Sequence, residues 1–301
     1  MAHMDTGYFT HDITEPPKSK SVFDLFSLKG KTAIVSGAGA GIGLAVAQAF
    51  DAALLYECKT YSTGANVAIW YNSNKKALEE ADSIEKTYGV KCKAYQVNVT
   101  LWEAVEASVE EIVKEFNGRL DIFVANSGIA WEDGSFIDGP LETMHKVLKV
   151  NIDGTLYSAR AAALHWRRQK KEGTTIDGQP LENFSYGSFI ATSSMSAHIV
   201  NIPQQQTVYN MSKAAINHAC RSLAVEWVGF ARANSISPGY IKTDISAFIP
   251  AATKSIFKSF IPMGREGETH ELKGAYLYLA SDASSYATGT DIIVDGGYCV
   301  P

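Results

Sequence analysis

The chain has 301 residues, of which 46% are hydrophobic and 20% charged, enough apolar material for a sizeable core and too much for a disordered chain. Its formal net charge of -5 argues against a broad nucleic-acid footprint, which needs a basic face. No stretch reaches the roughly 20 apolar residues that span a bilayer, and the N-terminus lacks a charged-then-apolar signal pattern. Neither a membrane nor nucleic acid is expected as a partner.

The first four residues, Met-Ala-His-Met, read as a tag remnant. The stretch to residue 21, with Pro16 and Pro17, reads as a flexible arm before a single domain over residues 22–301. From Lys31 onward, short β-branched runs alternate with stretches of helical period. That alternation predicts βα units and a parallel sheet. Strands are expected at 32–36, 66–71, 93–98, 122–126, 188–193, 232–237 and 291–294. Helices are expected at 43–50, 76–88, 102–116, 141–171, 208–230 and 271–280. The result is a Rossmann-type, doubly wound α/β fold of seven parallel strands. Its ligand crevice lies beyond the carboxyl ends of the strands.

Two segments fit the alternation less well. Residues 51–63 are longer than one crossover helix needs, and 172–185 form a polar insert whose Gly, Pro and Asn mark a surface excursion. The cations Arg167, Arg168, Lys170 and Lys171 close a predicted helix, where the macrodipole favours them. The four cysteines, Cys58, Cys92, Cys220 and Cys299, form no C-x-x-C pair, which fits a reducing, cytoplasmic setting. The histidines lack metal-ligand spacing, and no metal is expected.

Gly37, Gly41 and Gly43 follow the first strand and open the first helix with spacing G-x-x-x-G-x-G. Glycine permits the sharp turn and the close approach of a diphosphate, while the helix N-terminus offers unpaired N–H groups. The second strand ends in Tyr71-Asn72-Ser73-Asn74-Lys75-Lys76. With no carboxylate there to repel a 2′-phosphate, NADPH is favoured over NADH.

Tyr209 and Lys213, in Y-x-x-x-K, share one helix face. An adjacent ammonium is expected to lower the phenol's ordinary pKa near 10 and make it a working acid–base group. Asn126-Ser127-Gly128, Ser193-Ser194 and Ser237-Pro238-Gly239 end three other strands at the same sheet edge.

Taken together, these elements resemble the short-chain dehydrogenase/reductase family over residues 28–298. The resemblance implies that Tyr209 gives a proton to the carbonyl oxygen and that Lys213 tunes it while binding the nicotinamide ribose. Ser194 would hold the substrate oxygen, with Ser193 and Ser196 as rival candidates, and Asn151 would serve the proton relay. Cofactor contacts are implied for Gly37, Gly41, Ile42, Gly43, Tyr71, Asn72, Ser73, Asn98, Val99, Asn126, Gly128, Tyr209, Lys213, Pro238, Gly239, Ile241 and Thr243. Phrases such as Val67-Ala-Ile-Trp-Tyr-Asn-Ser73 and Ile236-Ser-Pro-Gly-Tyr-Ile241 are similar to fungal and yeast NADPH reductases of ketoses, polyols and prochiral ketones. A small-molecule ketone or ketose is then the expected substrate, and a homotetramer the expected assembly. A 3-ketoacyl or steroid reductase is an alternative, as is a catalytically silent NADP-binding regulator. Trp131, Tyr240, Phe248 and Phe257 are candidate pocket walls, and residues 245–262 a candidate lid. His198 is weighed as a substrate ligand against a simple hydrogen-bonded loop residue.

Overall fold

The computed structural model describes residues 13–51, 64–243 and 250–300. The long segment after the first helix, most of the expected arm, Cys58, Phe248 and the start of the expected lid lie outside the described residues. Seven strands, β1 (Thr32–Val35), β2 (Asn66–Tyr71), β3 (Cys92–Gln96), β4 (Ile122–Ala125), β5 (Gly187–Thr192), β6 (Ala231–Pro238) and β7 (Asp291–Val294), form one sheet in the order β3-β2-β1-β4-β5-β6-β7. Every pairing is parallel. The register Thr32↔Asn66 keeps β2 in line with β1, so the insertion before it does not displace the strand.

Strand alternation explains the two layers. Ala33 and Val35 of β1, Val67 and Ile69 of β2, and Ile122 and Val124 of β4 enter one core. Ile34, Ala68, Trp70, Phe123 and Ala125 enter the other. Helices α2 (Gly41–Asp51), α3 (Lys76–Tyr88) and α9 (Lys273–Ala280) cover the first face. The second is covered by α4 (Trp102–Glu115), α6 (Gly154–Glu172) and α7 (Thr207–Glu226). On that face Trp70 meets Phe123 edge-on at 5.2 Å, and Phe189 meets Trp227 at 6.0 Å. Truncating the fully buried Phe123 to alanine would cost about 3–5 kcal/mol.

One predicted helix is divided. Instead of a single run over 141–171, the chain forms α5 (Leu141–Leu148), a π-helical turn at Lys149–Asp153, and then α6. The extra residue of that turn is held by Asn151, whose side chain is committed to three hydrogen bonds across the fold. Helix α7 stops at Glu226, four residues before the predicted end, ahead of Gly229 at φ 99°. A four-residue α1 (Val22–Leu25) precedes β1, and α8 (Ala251–Phe260) occupies the described part of the expected lid.

The polar insert is indeed an excursion, but a pinned one. Thr174 and Pro180 form an isolated antiparallel bridge. Arg119 donates to the Glu182 carbonyl at 2.7 Å, and Ile176 N donates to the Gly118 carbonyl at 2.9 Å. Residues 13–21 carry no helix or strand, and Glu15 N donates to the Tyr186 hydroxyl at 2.9 Å. Both features gather at the amino ends of the strands. At the opposite edge, the chain leaves β1 toward β2 and β3, then crosses back to β4, which opens a crevice between the ends of β1 and β4.

Candidate active site

The crevice continues into a cavity of about 320 Å³ lined by the segments that follow four of the seven strands, β1, β4, β5 and β6, and by the first turns of α7. Its cofactor end is built from backbone. Gly37 and Gly41 sit at φ 63° and 58°, in the left-handed region where a side chain is strained. A Cβ on Gly43 would lie 2.6 Å from Asn126 Nδ2 and 2.9 Å from Ala38 Cα, so only glycine lets α2 begin this close to the strand ends. Asn126 closes the turn from the other side, donating to the carbonyls of Ser36 and Gly37 at 3.1 and 3.2 Å.

Gly37, Gly41, Ile42, Asn126, Gly128, Pro238, Gly239, Ile241 and Thr243 all line the cavity, as do Ser194, Tyr209 and Lys213. The other expected cofactor residues do not. Asn72 and Ser73 stand exposed at the tip of β2, while Asn98 is exposed after β3 and accepts from Thr100 N and Oγ1. Val99 is buried against Gly154, where it leaves no room for a Cβ. Tyr71, expected as a cofactor contact, does not line the cavity either. Strand parity places its ring with Val67 and Ile69 in the core, 9% exposed, and away from the open tip.

At the other end of the cavity Tyr209 and Lys213 stand in the first turns of α7. The Ser194 hydroxyl hydrogen-bonds the Tyr209 phenol and accepts from Ser196 N at 3.1 Å. Of the three candidate serines, it is Ser194 that reaches the phenol. Ser193 donates instead to the Lys213 carbonyl at 3.1 Å, and Ser196 serves through its backbone. Asn151 braces the arrangement from behind. It donates to Ile129 O and to Ser212 Oγ, accepts from Ile129 N, and Ser212 in turn donates to the Tyr209 carbonyl at 2.7 Å.

The electrostatics differ from the expectation that Lys213 lowers the phenol. Tyr209 keeps some surface open to the cavity, yet the atoms packed around its oxygen desolvate it and push its pKa above the ordinary value, against a smaller opposing effect of the Ser194 hydrogen bond. Lys213 Nζ lies 5.6 Å from the centre of the phenol ring and donates to the Thr192 carbonyl at 2.8 Å. Its own burial lowers it to about 8. The ammonium is thus engaged by the backbone at the end of β5.

Other candidate walls resolve individually. Tyr240 lines the cavity and stacks on Phe257 of α8 at 4.1 Å and 7°. Trp131 does not line it. The ring is buried in a small core with Val147 and Val208 and donates to the Gly134 carbonyl. His198 turns to Asp291, Ser237 and Asn217, at 2.8, 3.3 and 3.3 Å, the hydrogen-bonded loop role rather than the substrate role. Motif reading passed over Asn201, Gln204 and Gln206, which also line the cavity. Their only sequence signal is the amide-rich run just before the tyrosine helix.

A family model described as enoyl-(acyl carrier protein) reductase matches residues 37–299. The chain belongs to the short-chain dehydrogenase/reductase family. Among relatives in this family, an L-xylulose reductase of Hypocrea jecorina is 65% identical over 298 residues, covering 99% of this chain and 100% of that one. A probable NADP-dependent mannitol dehydrogenase of Yarrowia lipolytica is 51% identical, covering 95% and 94%. The crystal structure of an NADPH-dependent 3-quinuclidinone reductase from Rhodotorula rubra superposes with a TM-score of 0.85 at 41% identity, over 97% of this chain and 100% of that one. The seven-stranded sheet and the crevice described above are thus those of a short-chain dehydrogenase/reductase.

Proposed function

We propose that this protein is an NADP(H)-dependent reductase that interconverts a ketose or related ketone with the corresponding secondary alcohol. The observation that carries the reading is the hydrogen-bonded Ser194–Tyr209 pair on the wall of a cavity that also holds Lys213 and a glycine-built cofactor turn. The fit to a dinucleotide rests on Gly37, Gly41 and Gly43, where a side chain would be strained or would fill the turn. Asn72 and Ser73 would receive the 2′-phosphate, and Asn98 and Val99 would border the adenine end. Pro238, Gly239, Ile241 and Thr243 would border the nicotinamide end, together with Asn126 and Gly128. The bound cofactor supplies the hydride.

The chain's own residues supply orientation and the proton. Ser194 and Tyr209 hold the carbonyl oxygen together, and their donors stabilise the charge that develops on it. A phenol raised by burial stays protonated at neutral pH, the form that reduction consumes. Lys213, lowered to about 8, exchanges its proton near neutrality and would hold the cofactor ribose. Asn151 fixes the first turn of α7, through Ser212, and would serve the relay that refills Tyr209.

The polyol and ketose names of the relatives support a sugar-sized substrate. A cytoplasmic setting is supported by Cys220 and Cys299, which are free thiols. No helix among the described residues is long and apolar enough to cross a membrane. A homotetramer built on α6 and α7 is supported by Leu156, Leu164, Met211 and Val225, apolar residues 38–50% exposed on those helices. The deciding assay follows NADPH absorbance with L-xylulose, D-fructose, L-sorbose, acetoacetyl thioester and steroid ketones. Consumption with the sugars is the expected outcome. Tight NADPH binding with no consumption would instead make the protein a silent binder, and preference for the last two would make it a ketoacyl or steroid reductase.

A further inference from the structure

One residue lining the cavity carries a buried polar atom without a partner. Asn201 is 7% exposed, lines the substrate end, and its carboxamide oxygen is buried without a hydrogen bond. Among the described residues that line the cavity, no other buried side-chain nitrogen or oxygen is left in this state. Gln206, by contrast, commits its amide to the Trp131 carbonyl at 2.9 Å.

The orientation of the Asn201 amide follows from its neighbours. The Tyr240 hydroxyl faces the Asn201 amide nitrogen and serves it as an acceptor. Asn201 Nδ2 donates to the Tyr240 hydroxyl at 3.3 Å, and Oδ1 is the atom left over. Tyr240 is itself held rigidly, stacked on Phe257 and edge-on to Tyr298 at 5.5 Å. An acceptor so fixed cannot turn away to find water elsewhere. A buried acceptor without a donor is a net cost that a ligand hydroxyl would relieve.

We propose that Asn201 is a specificity-determining residue whose Oδ1 accepts a hydrogen bond from a substrate hydroxyl. The site then selects hydroxylated ketoses over ketones of the same skeleton. This deepens the ketose-reductase reading and rests on it. Ser194 and Tyr209 are occupied with the carbonyl oxygen, whereas Met195, Pro238 and Ile241 offer no side-chain hydrogen bond. A site built to pair a substrate hydroxyl discriminates strongly against the analogue lacking it, because its own polar atom is then stranded.

The test compares kcat/KM for NADPH-dependent reduction of L-xylulose and of 2-pentanone, which has the same five carbons and no hydroxyl. Wild type, Asn201→Ala and Asn201→Ser are measured, with NADPH binding and circular dichroism as controls on folding. The ratio of L-xylulose to 2-pentanone efficiency should fall by roughly 10-fold or more in both variants, chiefly through KM for the sugar. Equal losses on the two substrates, or an unchanged ratio, would overturn the assignment. So would a wild type that reduces 2-pentanone as efficiently as L-xylulose, a result independent of how the variants fold. A wild type that consumes NADPH with neither compound overturns the reductase reading itself, and this inference with it.

Discussion

The two ends of the crevice are built on different principles. The end proposed for the cofactor is made of main chain, where Gly37 and Gly41 hold left-handed backbone, Gly43 lets α2 begin close to the strand ends, and Asn126 clamps the turn. The end proposed for the substrate is made of side chains, with Ser194 paired to Tyr209 and Asn201 to Tyr240, which stacks on Phe257 of α8. Backbone geometry tolerates few substitutions and serves one ligand shape. A side-chain wall can change its substrate by exchanging single residues, which is how one scaffold can serve xylulose, mannitol and quinuclidinone chemistry in the relatives named above.

The sharpest way to break this contrast is to disable the chemistry while leaving the cofactor end intact. Tyr209→Phe removes the one proton placed beside Ser194 and should lower kcat by about 10²–10⁴-fold. NADPH binding, read by fluorescence titration, should stay within about threefold of wild type, a bound that allows for the small packing change. Near-normal turnover would show that another group protonates the substrate.

A second effect, of about 3 kcal/mol, concerns the price of the buried lysine. Lys213 is 5% exposed and lowered from 10.5 to about 8, so folding releases its proton in the window between those values. Below pH 8 the folded protein bears the full cost of burying the cation. Between pH 8 and 10.5 that cost is relieved, and this residue's contribution to stability rises with pH. The Cys220 thiol, pushed up to about 12, and the Tyr209 and Tyr276 phenols, also raised by burial, act in the opposite sense as their unfolded counterparts ionise. The stability difference between wild type and Lys213→Met isolates the lysine. Urea denaturation of the unliganded protein at pH 8, 9 and 10 should show that difference shifting in favour of wild type as pH rises, and a flat difference would contradict the burial account.

At the cofactor end, Gly43→Ala should cost about 1–3 kcal/mol, because the added methyl meets the Ala38 backbone as well as the Asn126 amide. Both melting temperature and NADPH affinity should fall, whereas kcat at saturating cofactor should fall less. Loss of kcat alone would mean that the turn shapes chemistry rather than binding.

The same contrast explains what could be read from the residues alone. Glycine spacing and strand-end motifs carry the cofactor end because backbone demands leave a residue-type signature, and the bounds of β2, α3 and β7 are met to the residue. The π-helical turn at Asn151 was not legible, since one extra residue in a helix leaves the apolar pattern on either side unbroken. Nor was the direction of the Tyr209 shift. Spacing brings Lys213 near, but burial and the Thr192 carbonyl decide where its charge acts. Asn201 has no spacing rule at all, because its role depends on the loop that places it beside Tyr240. Tyr71 is a different case. The period-two alternation of β2 already turns it toward the core, and a strand-tip rule without parity overlooks that.

The burial of Tyr71 moves the cofactor-preference test one residue along. Tyr71→Asp would bury a carboxylate in the core and confound specificity with unfolding. Asn72 is exposed at the tip of β2, where an added charge costs the fold little and lies ahead of the N-terminus of α3, whose dipole favours it. Asn72→Asp should therefore leave thermal stability near wild type and repel a 2′-phosphate by simple like-charge opposition. The ratio of kcat/KM with NADPH to that with NADH should fall by about tenfold, equivalent to about 1.4 kcal/mol, with the loss concentrated in KM for NADPH. An unchanged ratio in a stable variant would mean that the phosphate is recognised away from β2, and the cofactor end would then depend on side chains as much as the substrate end does.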